Sequence, residues 1–124
     1  VVLSKDEVLA RVATRPEVPM EPVQCPDLGG EVLGRSITGP IRNRLEAGYA
    51  AITEGADGSV MDDVIPALLS ACVVDERGHP YLTRNMARQF WENYPMDAFR
   101  IRDKAVELAG MSRADVEELT EAFD

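Results

Sequence analysis

Three features of the sequence predict a mainly α fold: a compact bundle of about five or six short helices with a small N-terminal β-hairpin or extended segment. Apolar residues recur at helical spacing through most of the chain from residue 38 onward. Pro16, Pro19, Pro22 and Pro26 exclude helix from 16 to 27, because proline lacks the N–H a helix interior needs. Capping residues and glycines fall where those periodic segments start and stop. At 124 residues and 45 % hydrophobic content, the chain suits one domain, 1–124, with a modest single core. Residues 16–37 are its extended or hairpin part and 38–124 its helical part.

The elements follow in order. Ser4-Lys-Asp-Glu7 has the order of a capping box, and Val8, Leu9 and Val12 follow, so 5–13 reads as a short helix. Val18, Met20 and Val23 lie among the prolines and give an extended segment that would be an irregular edge strand. Asp27-Leu-Gly-Gly30 is turn chemistry, and Glu31–Ile37 continues it, so 18–37 reads as a loose β-hairpin or as an ordered loop. Thr38-Gly-Pro restarts helix with Thr38 as cap, and Ile41, Leu45, Tyr49 and Ile52 give a helix over 40–53. A loop over 54–59 follows, and Ser59 or Asp62 caps the next helix, about 62–73.

That next segment is apolar nearly all round, with Ser70 its one clearly polar side chain between Val64 and Val74. Such a helix must be covered on most sides, which makes it the central core helix. Thr83 caps a helix carrying Met86, Phe90 and Tyr94 at i, i+4 and i+8, with Ala87 and Trp91 beside them. Pro95 ends it or starts the next. Met96 to Ala109 is a strong helix closed by Gly110. Ala98, Ile101, Ala105, Leu108 and Ala109 form its apolar arc, Asp97, Arg100 and Asp103 lie opposite, and Arg102 falls inside the arc as a snorkelling side chain. Ser112-Arg-Ala-Asp115 caps a last helix with Val116, Leu119 and Phe123 on one face and acids on the other.

Composition bounds the function. The formal charge is −9, from 22 acids and 13 bases, and a surface of that sign repels phosphates over most of its area. No nucleic acid is expected as a partner. No run approaches the ~18 apolar residues that span a bilayer, so no membrane is expected either. The first residues lack the basic-then-apolar order of a signal peptide, so no export is expected. Cys25 and Cys72, in a chain without that signal, read as two reduced thiols.

The stretch Val73-Val-Asp-Glu-Arg-Gly-His-Pro-Tyr-Leu-Thr83 holds the single histidine among acids, an arginine and a tyrosine. Each residue there has a conformational role: Gly78 for the reversal, His79 extended before Pro80, Thr83 as a cap. It therefore reads as a tight turn with a few ladder bonds. Catalysis by His79 would need an orienting group and a nucleophile within hydrogen-bond reach, and no motif supplies them. No G-x-S-x-G, H-E-x-x-H or glycine-rich phosphate loop occurs. Cys25, Cys72 and His79 lack the paired spacing of a zinc site. Asp62 and Asp63 point about 100° apart on a helix, a poor shared carboxylate pair. No enzyme, no catalytic residue, no cofactor and no metal is expected. Trp91 lies off the Phe90 line and reads as the exposed aromatic, with Phe90 in the core.

The order of these motifs resembles the tail assembly chaperones of long-tailed (siphovirus-type) bacteriophages. Typical members have a Trp-Gly-Gly-like turn before a strand, an "L-T-G-A-E-R" helix entry, "V-D-E-D-G" and "L-N-G-L-S-E-E-D". Asp27-Leu28-Gly29-Gly30, Ile37-Thr38-Gly39-Pro40-Ile41-Arg42, Val74-Asp75-Glu76-Arg77-Gly78 and Leu108–Asp115 stand at those places in that order. Leu28 departs from the usual aromatic, and Pro40-Ile41 from Ala-Glu. Each motif alone is a cap or a turn; the specificity lies in their succession over nearly the whole chain.

The resemblance implies a mostly helical viral protein without catalysis. It would bind the tape-measure protein, keep it soluble and help recruit tail tube subunits during tail morphogenesis. It implies a second partner, the major tail tube protein, reached through a longer form made by ribosomal frameshifting, and self-association into a homo-oligomer. The setting would be the host bacterial cytoplasm, with the protein absent from the mature virion. Candidate contact residues are Trp91 and Tyr94 on the 84–94 helix, and Val116, Leu119 and Phe123 on the last. Two other readings stand beside it. One is a structural tail or connector protein of the virion. The other is an acidic DNA-mimic inhibitor, although Arg42, Arg44, Arg84, Arg88, Arg100 and Arg102 interrupt the acid surface.

Overall fold

A computed structural model describes residues 2–13 and 19–110. The capping box forms: the Glu7 N–H donates to Ser4 Oγ at 3.2 Å, and Ser4 Oγ donates back to Glu7 Oε1 at 3.1 Å. It starts α1, Lys5–Ala13, none of whose residues is buried. Strand β1, Met20–Cys25, pairs antiparallel with β2, Gly30–Arg35, through the register Met20↔Arg35 to Cys25↔Gly30. A two-residue strand β3, Val73–Val74, completes the sheet in the order β1-β2-β3 by pairing with Leu33 and Gly34. The sequence reading ended a helix at about Val73 and put Val74 in the turn that follows. The β-branched pair instead forms a strand, because β2 offers an open ladder that both buried valines can join.

β1 is an outer strand, and it carries Pro22 opposite Leu33. A proline fits only where its missing donor would point away from the ladder, so Pro22 removes an outward donor from mid-strand. That blunts the edge against pairing with another chain.

Helix α2, Gly39–Thr53, begins at Thr38, whose backbone is extended but whose side chain makes no capping bond. The expected hydroxyl cap is therefore not used; Pro40 in the first turn already lacks one of the orphan donors. A short 3₁₀ turn, Gly58–Val60, precedes α3, Met61–Cys72. Neither Ser59 nor Asp62 caps α3: Asp57 accepts from the Ser59 N–H at 2.8 Å and starts the turn that runs into it.

Pro66 lies inside α3, and the carbonyl it leaves free belongs to exposed Asp62, where water can serve it. α3 is the centre of the core. Met61, Ile65, Leu68, Leu69 and Cys72 are all fully buried, packed by Leu45 and Tyr49 of α2 and by Val23 of β1. Gly48 lets α2 approach this closely, since a Cβ there would lie 2.7 Å from Met61 Sδ. At the other end of α3, Arg35 of β2 reaches the last turn, donating from Nε to the Ala71 carbonyl at 2.8 Å.

Helix α4, Arg84–Asn93, is capped by Thr83 as expected, with Oγ1 accepting from the Met86 N–H at 3.2 Å. Pro95 starts α5, Pro95–Leu108, and Gly110 follows it at φ 81°. The helical wheel put Asp97 opposite the apolar arc and Arg102 inside it; the structure keeps Arg102 there and corrects Asp97. Asp97 is fully buried, and Arg102 is 5 % exposed rather than snorkelling. Ala109, placed in the apolar arc, is exposed. The molecule is thus mainly helical with a small antiparallel sheet. Among the described residues no helix is long and apolar enough to cross a membrane. The expected last helix, with Val116, Leu119 and Phe123, lies outside the described residues, as do Pro16 and Val18.

Candidate functional site

In the histidine stretch, the Asp75 carboxylate is spent on the backbone of its own turn. Asp75 Oδ1 accepts from the Arg77 and His79 N–H groups at 2.9 and 3.0 Å. The Asp75 N–H donates to the His79 carbonyl at 3.0 Å, and the Gly78 N–H to the Asp75 carbonyl at 2.9 Å. The bond from the His79 N–H, first of several, holds the Asp75 carboxyl below the usual carboxylate range. The stretch is a turn stitched to itself, with Val74 bridging Pro80.

The two thiols are buried and free. Burial pushes Cys25 up to about 11, helped by the Asp97 carboxylate, and pushes Cys72 up to about 12. Neither is a thiolate near neutrality, so neither is poised as a nucleophile. Among the described residues, no group of three or more His, Cys, Asp or Glu side chains could hold a metal ion.

The side chains that do converge lie where α4 crosses α3. A cleft of about 440 Å³ opens there, lined by Asp62, Asp63, Arg88, Trp91 and Glu92. Asp62 and Asp63 head α3, while Arg88, Trp91 and Glu92 share one side of α4 at i, i+3 and i+4. The Trp91 Nε1–H donates to Asp62 Oδ1 at 3.0 Å, and Arg88 stands 3.7 Å from Asp63. The two neighbouring aspartates thus serve different partners, as their angular separation requires. Trp91 is half-buried and packs on the core, not the free-standing aromatic its wheel position suggested.

Behind the indole runs a chain of contacts into the core. The Trp91 ring meets Phe99 edge-on at 5.2 Å between centroids, and the Arg102 guanidinium lies 4.6 Å from the Phe99 centroid. Arg102 donates to the Tyr49 hydroxyl at 2.7 Å and to Asp103 at 2.7 and 2.9 Å. Burial raises the Tyr49 phenol above its ordinary value, with Arg102 pulling it back. The buried cation is therefore paired, bonded and stacked, which fixes the wall of the cleft from behind.

Tyr94, at the end of the same helix, is half-buried and meets Phe90 edge-on at 6.1 Å. Of the five residues marked as contacts from sequence, Trp91 lines the cleft, Tyr94 stands just past the end of α4 and is not among the lining residues, and Val116, Leu119 and Phe123 lie outside the described residues. Sequence reasoning missed Asp62, Asp63, Arg88 and Glu92 as a group. No local spacing joins the head of α3 to the middle of α4; only the packing of the two helices does. The arrangement offers carboxylates and an aromatic face to a cationic or amphipathic partner. A scan against protein-family models finds no match, and no curated protein and no solved structure matches the chain.

Proposed function

We propose that this chain is a non-enzymatic phage tail assembly chaperone. It binds the tape-measure protein, keeps it soluble and helps recruit tail tube subunits, through a frameshifted longer form, in the host bacterial cytoplasm. One observation supports a binding role above others: the folded body displays large apolar side chains it could have buried. Met20, Leu28, Tyr81, Met86 and Met96 are 39–54 % exposed. Three of the five are methionines, whose unbranched, polarizable side chains adapt to varied apolar partners. A net charge of −9 keeps such a surface dispersed. The choice of partner rests on the order of motifs in the sequence.

The experiment is co-expression with the tape-measure protein from the same genome. A soluble complex that co-purifies is expected; a client equally soluble alone, with nothing co-purifying, refutes the proposal. Mass spectrometry of purified particles separates it from a structural tail protein, since the chaperone should be missing from them.

A further inference from the structure

The helix α1 carries an apolar stripe that the described body leaves exposed. Lys5, Val8, Leu9 and Val12 recur at i, i+3, i+4 and i+7, which puts them on one face. None of the nine residues is buried, and Val8, Leu9 and Val12 stand 42, 56 and 79 % exposed. A helix shorter than ~12–15 residues is marginal in water, so a helix this short needs a packing partner. Its net charge selects none, because Lys5 and Arg11 balance Asp6 and Glu7. Its place in the fold does.

Backbone pairing brings the two arms of the chain to one end of the body. The Ser36 N–H donates to the Pro19 carbonyl at 3.2 Å, and the next N–H, of Ile37, donates to the Ala105 carbonyl at 3.2 Å. Beside them Lys104 holds Glu21 at 3.1 Å. The chain therefore enters β1 from α1 close to where α5 finishes. Residues 13 and 19 are at most about 20 Å apart, which keeps α1 near that end. Gly110, at φ 81°, turns the chain off the α5 axis at the same place.

We propose that residues 112–123 of the same chain form a helix that packs antiparallel along α1 and covers its stripe. Both segments are tethered at one end of the body, α1 by its C-terminus and 112–123 by its N-terminus, which sets the antiparallel sense. The apolar spacings then coincide: residues 12, 9 and 5 step down by three and four, as Val116, Leu119 and Phe123 step up by three and four. Val12 meets Val116, Leu9 and Val8 meet Leu119, and the Lys5 stem lies over the Phe123 ring. In this register Arg11 and Asp115 share one flank, and Lys5 stands between Asp6 and Asp124. Glu7, Glu117, Glu118 and Glu121 point to solvent. The Lys5 cation also reaches the acidic end of 112–123, where carboxylates alone would oppose the helix dipole. The pairing involves no client and no second copy, and it is tested without either.

Amide exchange in the full chain reads the pairing from both sides. Leu119→Asp should speed exchange across α1 by about tenfold or more, and Leu9→Asp should do the same across 115–122, while α3 keeps its parental rates. Arg11→Asp or Asp115→Arg alone should speed both segments about twofold to fivefold, and the two together should recover the parental rates. A chain carrying Leu9→Cys and Leu119→Cys should close an intramolecular disulfide when oxidised at low concentration, because Cys25 and Cys72 are buried. Glu7→Cys with Leu119→Cys should not. If Leu119→Asp loosens α3 as well, the disulfide pair decides alone. Exchange in α1 that ignores Leu119→Asp while α3 holds overturns the proposal. So do cross-links that join two chains, cross-links that form equally from position 7, and protection of α1 that rises with protein concentration.

Discussion

Replacing Asp97 with alanine should remove a clamp between the hairpin turn and α5. The Asp97 carboxylate is fully buried in the first turn of α5, where Oδ2 accepts from the Leu28 N–H at 2.9 Å across 69 residues of chain. Its other oxygen binds Arg100, which also lies 3.9 Å from Asp27 of the same turn. A hydrogen bond to a charged group contributes ~1.5–3 kcal/mol. The Arg100 partner is 40 % exposed, so that half of the clamp is screened and adds at most about 1 kcal/mol. Water reaches exposed Leu28 and recovers part of the first term. The net cost of Asp97→Ala is therefore about 2–3 kcal/mol, a large share of the 5–15 kcal/mol typical of a domain.

Asp97→Asn keeps an acceptor for the Leu28 N–H and loses the charge, so it should cost about half as much. Urea unfolding with an unchanged m-value gives the free energies, and amide exchange at Leu28 should accelerate in the alanine variant. Removing the carboxylate also removes a cause of the raised Cys25 value, which should fall below about 11 in both variants. An alanine variant within about 0.5 kcal/mol of the parent, with Leu28 exchange unaltered, would refute the clamp.

Tyr49→Phe deletes the hydroxyl that accepts from buried Arg102, and should cost about 1–3 kcal/mol in the same urea assay. Alkaline pH should destabilise the fold through the thiols. Folding raises both from 9.0, to about 11 and about 12, so their contribution is fully present below pH 9 and is lost as pH rises towards those values. Stability should fall by about 1 kcal/mol per thiol between pH 9 and about 10, and Cys72→Ala should halve that slope in melts at stepped pH. Pro22→Thr restores an outward donor to the edge strand, so it should raise concentration-dependent aggregation, read by light scattering, with little change in urea midpoint.

The legible part of this molecule was the part written locally. The Ser4–Glu7 box, the Thr83 cap, the Gly110 terminus and the Asp75–Gly78 reversal each declare themselves within five residues, and the structure uses each. The apolar run of α3 identified the core helix because such a surface has no alternative to burial. What stayed hidden depends on partners distant in sequence. Asp97 looks like a solvent-facing first-turn acid until the hairpin turn is folded over it. Arg102 looks like a snorkelling arginine until Tyr49, Phe99 and Asp103 surround it. β3 is two valines whose strand character comes entirely from the open ladder of β2. The cleft escaped for the same reason, since Asp62 and Trp91 stand 29 residues apart and meet only through helix packing.

The central claim, that this chain acts by shielding another polypeptide, is tested most directly by diluting unfolded tape-measure protein from denaturant and recording light scattering. Equimolar chain should hold scattering near the buffer baseline, whereas an equal mass of an unrelated acidic protein should not. Identical scattering curves with the two additions would contradict the account.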